Sequence, residues 1–207
     1  MNKIQVLDLF SGIGGFSLGL ERAGFETVAF CEIDKYCRLV LQKHWKDIKI
    51  YNDVREITRQ QYEQDGLELP EIITGGFPCQ PHSLMGNRKG SNDNRGSIVY
   101  EIVKLIYILK PRNFIFENVR AFKSVNDGKL HKEFLSLLEE FCGYKLRIYE
   151  LNASDYGVPQ VRRRIFICGS IDNSLNALPD EKPVWDNKDC GWATTWHLLE
   201  KNVEERY

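Results

Sequence analysis

The feature that most constrains the fold is the alternation of short apolar runs with amphipathic stretches through the first half of the chain. Short apolar runs bounded by turn residues are typical of buried strands, whereas longer amphipathic stretches are typical of helices. Alternating strands and helices build a parallel sheet that helices cover. We predict strands over residues 4–10, 26–30, 48–51, 71–74 and 113–116, and helices up to residue 23 and over 35–45, 97–109 and 129–141.

The last two predicted strands, over residues 145–151 and 164–168, complete the sheet in a different way. A loop of about a dozen residues joins them, which is too short for the helical crossover that parallel strands need. We therefore expect an antiparallel last pair. The sequence predicts an α/β protein with a mostly parallel sheet, and its periodicity fades from Asp172 onward.

Composition excludes several classes of protein. Charged residues make up 28% and hydrophobic residues 43% of the chain, which is typical of a soluble globular domain rather than a disordered one. No apolar run approaches the roughly 18 residues of a membrane helix, so we expect no membrane span. The six cysteines are scattered without zinc-like spacing, which indicates reduced thiols in a cytoplasmic protein without a metal centre. Because the net charge is only -1, affinity for nucleic acid must come from local basic patches.

Chemically distinctive residues follow five of the predicted strands. In an open α/β sheet, functional groups collect at the carboxyl ends of the strands. A structural scaffold does not require so many polar groups there, so this convergence favours an enzyme. The residues are Ser11-Gly12, Glu32, Asp53, the run from Gly76 to Cys79, and Glu117-Asn118.

The first motif is DLFSGIGGF, at residues 8–16. Glycines directly after a strand permit a tight turn and a close approach of the backbone to a ligand, although such a turn can also be purely structural. Glu32 ends the second strand about twenty residues further on, where a carboxylate can hold both hydroxyls of a ribose. The alternative for Glu32 is a carboxylate that the dipole of the following helix favours. Together, the glycines and Glu32 favour an adenosine-bearing cofactor.

The second motif is GGFPCQPHS, at residues 75–83. An arbitrary cysteine is most often a buried hydrophobe, and Cys168, inside an apolar run, fits that description. Cys79 fits it badly, because it lies between prolines just beyond a strand, in a segment with no core-facing period. Its thiol is a candidate nucleophile, provided that nearby positive charge or the substrate favours the thiolate.

The third motif is FENV, at residues 116–119. Glu117 follows a run of apolar residues, so we expect its carboxyl group to be partly desolvated and able to donate a proton. The alternative is a structural glutamate that caps the following turn.

The fourth motif is QVRRR, at residues 160–164. Successive arginines are usually solvated surface charge. Alternate residues of an extended segment point the same way, however, so Arg162 and Arg164 can face one site together. There they could hold a phosphate or a base edge.

With these motifs in this order, the chain resembles the DNA (cytosine-5) methyltransferase family from about residue 4 to residue 169. The resemblance implies a Rossmann-like S-adenosylmethionine-dependent methyltransferase fold. It implies that Cys79 attacks C6 of a cytosine, so that C5 takes the methyl group from S-adenosylmethionine. Glu117 would hold or protonate N3 of the base, and Arg164 would support O2 with Arg162 nearby. Chemistry at C5 and C6 requires the base to be flipped out of the duplex.

The resemblance also assigns residues to S-adenosylmethionine. Phe10 would pack on the adenine, the backbone of the glycine motif would line the methionine end, and Glu32 would bind the ribose. Asp53 would accept from the adenine amino group. The complete set of expected cofactor contacts is Phe10, Ser11, Gly12, Ile13, Gly14, Gly15, Glu32, Ile33, Asp53, Val54, Pro78 and Ile98.

Double-stranded DNA is the substrate that the resemblance implies. The residues themselves do not separate DNA from RNA, and one branch of the family methylates tRNA. The segment 80–96 resembles a lid that closes over DNA. The expected nucleic-acid contacts are Gln80, Ser83, Arg88 and Lys89, and the two basic side chains suit phosphate.

The residues after Gly169 depart from the family pattern, in which a target-recognition region and a last pair of motifs follow. We find no candidate for either motif. Residues 1–170 are expected to form the catalytic domain, and residues 171–207 a tail or the start of a truncated target-recognition region. Three explanations stay open: the catalytic subunit of a split enzyme whose second subunit recognises the target, a truncated gene product, or a non-catalytic DNA-binding or regulatory relative. The intact Cys79, Glu117, Arg162 and Arg164 argue against the last, and family habit favours a prokaryotic or phage origin.

Overall fold

A computed structural model describes residues 3–78 and 97–172 of the protein. Their strands form one seven-stranded sheet, and helices lie on both of its faces. The strands are β1 (Gln5–Leu9), β2 (Glu26–Cys31), β3 (Lys49–Tyr51), β4 (Ile72–Gly76), β5 (Asn113–Val119), β6 (Lys145–Asn152) and β7 (Arg163–Ser170), and the helices are α1 (Gly15–Arg22), α2 (Lys35–His44), α3 (Arg59–Gln64), α4 (Ser97–Leu109) and α5 (Lys129–Ser136).

The sheet has the strand order β3-β2-β1-β4-β5-β7-β6. Strands β1 to β5 are parallel, whereas β7 is antiparallel to both of its neighbours, β5 and β6. The predicted α/β class and the antiparallel last pair are therefore confirmed. From β1 the chain proceeds to β2 and β3 on one side, and it then crosses back to place β4 on the other side of β1. A ligand binds at such a reversal in an open α/β sheet, outside the carboxyl ends of the strands.

Strand β4 corrects a predicted boundary. The sequence predicted that Gly75 and Gly76 end this strand, but both belong to it and pair with β5. A Cβ atom on Gly75 would lie 2.8 Å from the carbonyl oxygen of Leu9 in β1. These glycines therefore allow a close approach between neighbouring strands rather than a turn.

Three further differences concern the lengths and number of elements. Strand β5 continues to Val119, three residues beyond its predicted end, so Glu117 lies within the sheet. Helix α3 was not predicted. Helix α5 ends at Ser136, and a π-helical segment (Leu137–Phe141) replaces the rest of the predicted helix.

The core on one face of the sheet is rich in aromatic side chains. Phe77 lies between 5.2 and 6.2 Å, centroid to centroid, from the rings of Phe116, Phe122 and Phe134. Edge-to-face contacts of this kind add to the free energy gained from burial alone. Helix α1 covers the other face, where Phe16 contacts Phe166 of β7. Among the described residues, no helix is long and apolar enough to cross a membrane.

Candidate active site

Residues 10–14, called the glycine turn below, connect β1 to α1. The backbone has positive φ at Phe10, Gly12 and Gly14. The amide of Ser11 donates to the carbonyl of Cys31 in β2 (3.2 Å), and its hydroxyl donates to the carbonyl of Asp8 (2.6 Å). The amide of Gly14 donates to the carbonyl of Ser11 (2.8 Å), so the turn is held from inside and from the sheet.

Glu32 directly follows β2 beside the glycine turn, at the strand end where the sequence predicted it, and is buried. One carboxylate oxygen accepts from the amide of Gly12 and the other from the amide of Asp34, both at 2.7 Å. A carboxylate oxygen has two lone pairs, so each oxygen can accept a further hydrogen bond from a ligand. Glu32 therefore braces the turn and still offers acceptors towards the sheet edge.

Asp53 follows β3 and caps the 3-10 turn that begins at Val54. It accepts from the backbone amide of Arg55 (3.0 Å) and from its guanidinium (2.8 Å), and these contacts lower the pKa of the Asp53 carboxyl group. The side chain of Val54 is buried in the core, so only its backbone remains for a ligand. Ile98, in the first turn of α4, is half-buried and packs against the same core.

The residues at this edge fit an adenosine-bearing cofactor with a cationic centre. Cβ atoms on Gly12 and Gly15 would meet nothing within 4 Å, so there is open space beside both residues. Ile13 and Ile33 are 61% and 60% exposed, which is unusual for isoleucine and suits an apolar ring. The carboxylates of Glu32 and its neighbours supply hydrogen-bond acceptors and negative charge.

A second group lies on the neighbouring strands. Glu117 of β5 and Arg164 of β7 form an ion pair, with 2.6 Å between Oε1 and Nε, and each side chain is 20% exposed. The contact is ionic rather than an in-line hydrogen bond, because Nε–H has no hydrogen-bond partner among the described residues. A Cβ atom on Gly76 would lie 3.1 Å from Oε2 of Glu117, so this glycine leaves room for the carboxylate. The sequence predicted that Glu117 would be partly desolvated but did not predict this partner.

Arg162 lies just before β7, and its side chain is exposed. Its amide donates to the side-chain oxygen of Asn152 (2.9 Å), and its carbonyl accepts from the amide of Ala153 (3.0 Å). These contacts fix the backbone of Arg162. That its side chain shares a site with Arg164 stays a prediction.

Asn118 was noted at a strand end in the sequence but was assigned no individual role. It is 3% exposed, and its amide group donates to the carbonyl of Phe77 (3.0 Å). It thus fixes the end of β4 and the half-buried Pro78 that follows. A signal was present in the sequence, because Asn118 interrupts the apolar series of Phe114 and Phe116, which face the core on alternate positions of β5.

Asp8 was also missed, although it belongs to the first motif. It is fully buried, and its carboxylate accepts from the hydroxyls of Ser17 (2.8 Å) and Thr74 (3.0 Å). Burial raises the pKa of Asp8 to about 6, against the opposing effect of these hydrogen bonds. The group joins β1, α1 and β4 beneath the site.

Several predicted site residues lie outside the described residues. They include the candidate nucleophile and all four expected nucleic-acid contacts: Cys79, Gln80, Ser83, Arg88 and Lys89. The expected lid over 80–96 and almost all of the expected tail over 171–207 lie outside them as well.

Comparison with known proteins identifies relatives in sequence and in fold. The family model for C-5 cytosine-specific DNA methylase matches residues 4–206. The type II methyltransferase M.FnuDI of Fusobacterium nucleatum is 40% identical over 90% of the chain and 56% of its own length. The type II methyltransferase M.NgoBI of Neisseria gonorrhoeae is 36% identical over 98% of the chain and 60% of its own length. The chain thus spans little more than half of the length of these relatives.

Solved structures agree with this comparison. One match is the crystal structure of a protein described as a prophage-encoded DNA modification methyltransferase of E. coli. That protein is 27% identical to the chain, and the two structures superpose with a TM-score of 0.72 over 85% of the chain and 49% of the length of the E. coli protein. The S. pombe Dnmt2 methyltransferase shares the fold, with a TM-score of 0.67 and 23% identity over 84% of the chain and 53% of the length of Dnmt2.

Proposed function

The chain belongs to the C-5 cytosine-specific DNA methylase family, and on that premise we propose that it carries the catalytic core of an enzyme that methylates C5 of cytosine in DNA. The observation that carries the proposal is the pair of Glu117 and Arg164. It lies towards the carboxyl end of β5, the same edge of the sheet at which the glycine turn and Glu32 follow β1 and β2. Between these groups, β4 leads through Phe77 and Pro78 to Cys79. A base and a methyl donor could therefore meet beside a thiol.

The proposed chemistry begins at Cys79. Its thiolate forms a bond to C6 of the flipped cytosine, and the electron pair of the C5–C6 double bond moves towards C5 and the ring. Glu117 holds or donates a proton at N3, which accepts part of that charge. S-adenosylmethionine would supply the methyl group when bound: the electron pair at C5 forms the new carbon–carbon bond as the bond between methyl and sulfonium breaks, and S-adenosylhomocysteine leaves. Loss of the C5 proton to a base then restores the double bond as the bond between sulfur and C6 breaks, which returns the thiolate.

Arg164 has two functions in this proposal. It keeps Glu117 oriented through the 2.6 Å ion pair, and it presents a donor to O2 of the base. Arg162 supports the same region from the turn before β7. A guanidinium suits this place better than an ammonium, because its planar donors can serve the carboxylate and the base together.

The glycine turn and the two strand ends beside it form the proposed cofactor site. Glu32 accepts from the ribose hydroxyls with its remaining lone pairs, while Phe10 and Ile33 pack on the adenine. Asp53 accepts from the adenine amino group. The remaining contacts proposed for the cofactor are Ser11, Gly12, Ile13, Gly14, Gly15, Val54, Pro78 and Ile98.

DNA contacts are proposed for Gln80, Ser83, Arg88 and Lys89, in the segment that resembles a lid. Sequence-specific recognition of the target requires contacts with base edges, beyond contacts with the phosphate backbone. We propose that it comes from a region or a second subunit outside residues 1–170. The names of the relatives favour a restriction–modification setting in a bacterial cytoplasm.

The proposal is tested by methyl transfer from radiolabelled S-adenosylmethionine to mixed-sequence duplex DNA, with tRNA as the alternative acceptor. The reaction is run with and without a lysate of the native host, which supplies any missing subunit. Methylated DNA from the wild type and none from Cys79→Ser, with cofactor binding retained, supports the proposal. Transfer by Cys79→Ser at the wild-type rate would refute the nucleophilic role, and transfer to tRNA alone would replace the substrate.

The covalent step has its own test. In DNA that contains 5-fluorocytosine, the fluorine at C5 cannot leave as a proton does, so a sulfur–C6 adduct should persist through denaturing electrophoresis. We expect this adduct for the wild type and not for Cys79→Ser. Normal methyl transfer without any trapped adduct would contradict the covalent mechanism.

A further inference from the structure

The side chain of Trp45 lies directly behind the glycine turn. A Cβ atom on Gly14 would lie 2.6 Å from both Cη2 and Cζ3 of the indole, and 3.1 Å from Cδ2 of Leu41. The first of these distances is shorter than real Cβ contacts allow. The indole therefore occupies the space next to the α carbon of Gly14, and glycine is required there for packing as well as for its φ of 92°.

Trp45 is itself fixed from several sides. Its Nε1 donates to a carboxylate oxygen of Glu21 in the last turn of α1 (2.7 Å). Its ring meets that of Phe30 in β2 edge-on, with 5.2 Å between centroids. Its backbone amide donates to the carbonyl of Leu41 (2.7 Å). The indole cannot move away from the turn without breaking a hydrogen bond and an aromatic contact.

One continuous segment of the chain holds the glycine turn at two points. At its start, Glu32 accepts from the amide of Gly12 (2.7 Å). At its end, one helix later, Trp45 packs against Gly14. The two contacts lie on either side of Ile13, which is largely exposed towards solvent. The backbone of the turn is thus held on both sides of the residue that faces outward.

We infer that Trp45 is a positioning residue for the cofactor site, whose indole, anchored by Glu21, keeps residues 12–14 in the shape that binds S-adenosylmethionine. The inference rests on the proposed function, because it assigns that cofactor to the glycine turn. A turn that is already ordered loses less conformational freedom when the ligand binds, so its affinity is higher. Trp45 acts through Gly14.

The first test compares S-adenosylmethionine affinity by isothermal titration calorimetry, at a temperature where circular dichroism shows every variant folded. Trp45→Ala should weaken binding by about tenfold, which corresponds to about 1.4 kcal/mol. Trp45→Phe keeps a ring but loses the hydrogen bond to Glu21, so its affinity should lie between that of the wild type and that of Trp45→Ala. Trp45→Ala with the affinity of the wild type would overturn the inference.

The control is Leu138→Ala, which truncates a fully buried side chain of the π-helical segment, in the core that Phe134 of α5 also enters. It should lower the melting temperature but leave the affinity within about twofold, because distant sites act independently. A loss of affinity in Leu138→Ala equal to that in Trp45→Ala would show that general destabilisation explains both, and would refute a positioning role.

A double-mutant cycle tests the contact between Trp45 and Gly14. In the wild-type background, Gly14→Ala should weaken binding and stability, because the new methyl group meets the indole. In the Trp45→Ala background the same substitution should cost less, since the ring that opposes the methyl group is gone. Strictly additive losses would contradict the direct contact between Trp45 and Gly14.

Hydrogen exchange separates this inference from the proposed function. If the wild type binds no S-adenosylmethionine, the proposed cofactor is wrong, but the order of the turn remains measurable. The amides of Gly12 and Gly14 donate to Glu32 and Ser11, so both should be protected from exchange. Faster exchange of these amides in Trp45→Ala and not in the core control supports positioning, and unchanged exchange overturns it.

Discussion

Replacing Asp8 with asparagine should change how the stability of the protein depends on pH. Asp8 is 0% exposed, and the hydroxyls of Ser17 and Thr74 donate to its carboxylate. Burial raises the pKa of Asp8 from 3.8 to about 6, while these two hydrogen bonds oppose the rise. The carboxyl group therefore binds its proton more tightly in the folded protein than in the unfolded chain.

The size of the effect follows from the difference between the two pKa values. A difference of about two units at about 1.4 kcal/mol each corresponds to about 3 kcal/mol of unfolding free energy. Because the folded-state pKa is the higher one, this stabilisation is fully present below pH 3.8 and is lost as the pH rises through about 6. An asparagine is neutral throughout and makes no such contribution.

The assay is urea unfolding followed by circular dichroism, at several pH values between about 4 and 7. The unfolding free energy of Asp8→Asn minus that of the wild type should increase by about 2.4 kcal/mol across this range, because a small part of the effect falls below pH 4. Asp47→Asn changes an exposed carboxylate and provides the control for altered net charge. A difference between Asp8→Asn and the wild type that stays constant with pH would refute the argument from burial.

Three further substitutions test what surrounds single residues. Asn118→Ala leaves the buried carbonyl of Phe77 without its donor, so it should lower the unfolding free energy by about 1–3 kcal/mol. It should also slow methyl transfer while the affinity for the cofactor persists, and an unchanged kcat would contradict the role of Asn118. Gly169→Ala places a Cβ atom 2.2 Å from the ring of Phe114 and should destabilise the protein by about 1–3 kcal/mol in the same urea titration. Gly19→Ala, in α1 with open space around it, should instead stabilise the protein by up to about 1 kcal/mol.

The sequence predicted those elements whose signal is local. Helix α4 has the predicted limits, because the apolar residues of Ser97–Leu109 recur with a helical period. The antiparallel end of the sheet followed from the length of one loop. Helix α3 was missed because RQQYEQ is polar apart from the buried Tyr62. Its capping signal was nevertheless present, since Thr58 caps the helix and accepts from the amide of Gln61.

Features that depend on distant contacts could not be predicted in the same way. The role of Gly75 within β4 depends on Leu9 in a different strand, so the sequence around Gly75 indicated only a turn. The ion pair between Glu117 and Arg164 depends on the register of β5 and β7, which no local pattern specifies. The contact between Trp45 and Gly14 likewise depends on how α2, which ends just before Trp45, packs against the sheet. Partners of this kind therefore could not be predicted from the sequence alone.

The placement of β7 between β5 and β6 has a consequence for synthesis on the ribosome. When β6 has emerged, the neighbour that separates it from β5 is still to be made, so β5 presents an open edge and Glu117 has no guanidinium beside it. An open strand edge of this kind invites pairing with another nascent chain. Strand β7, the last of the described strands to be translated, thus fills the gap between β5 and β6 and brings Arg164 to Glu117 in the same step. A chain that folds this sheet correctly therefore also acquires its charged pair.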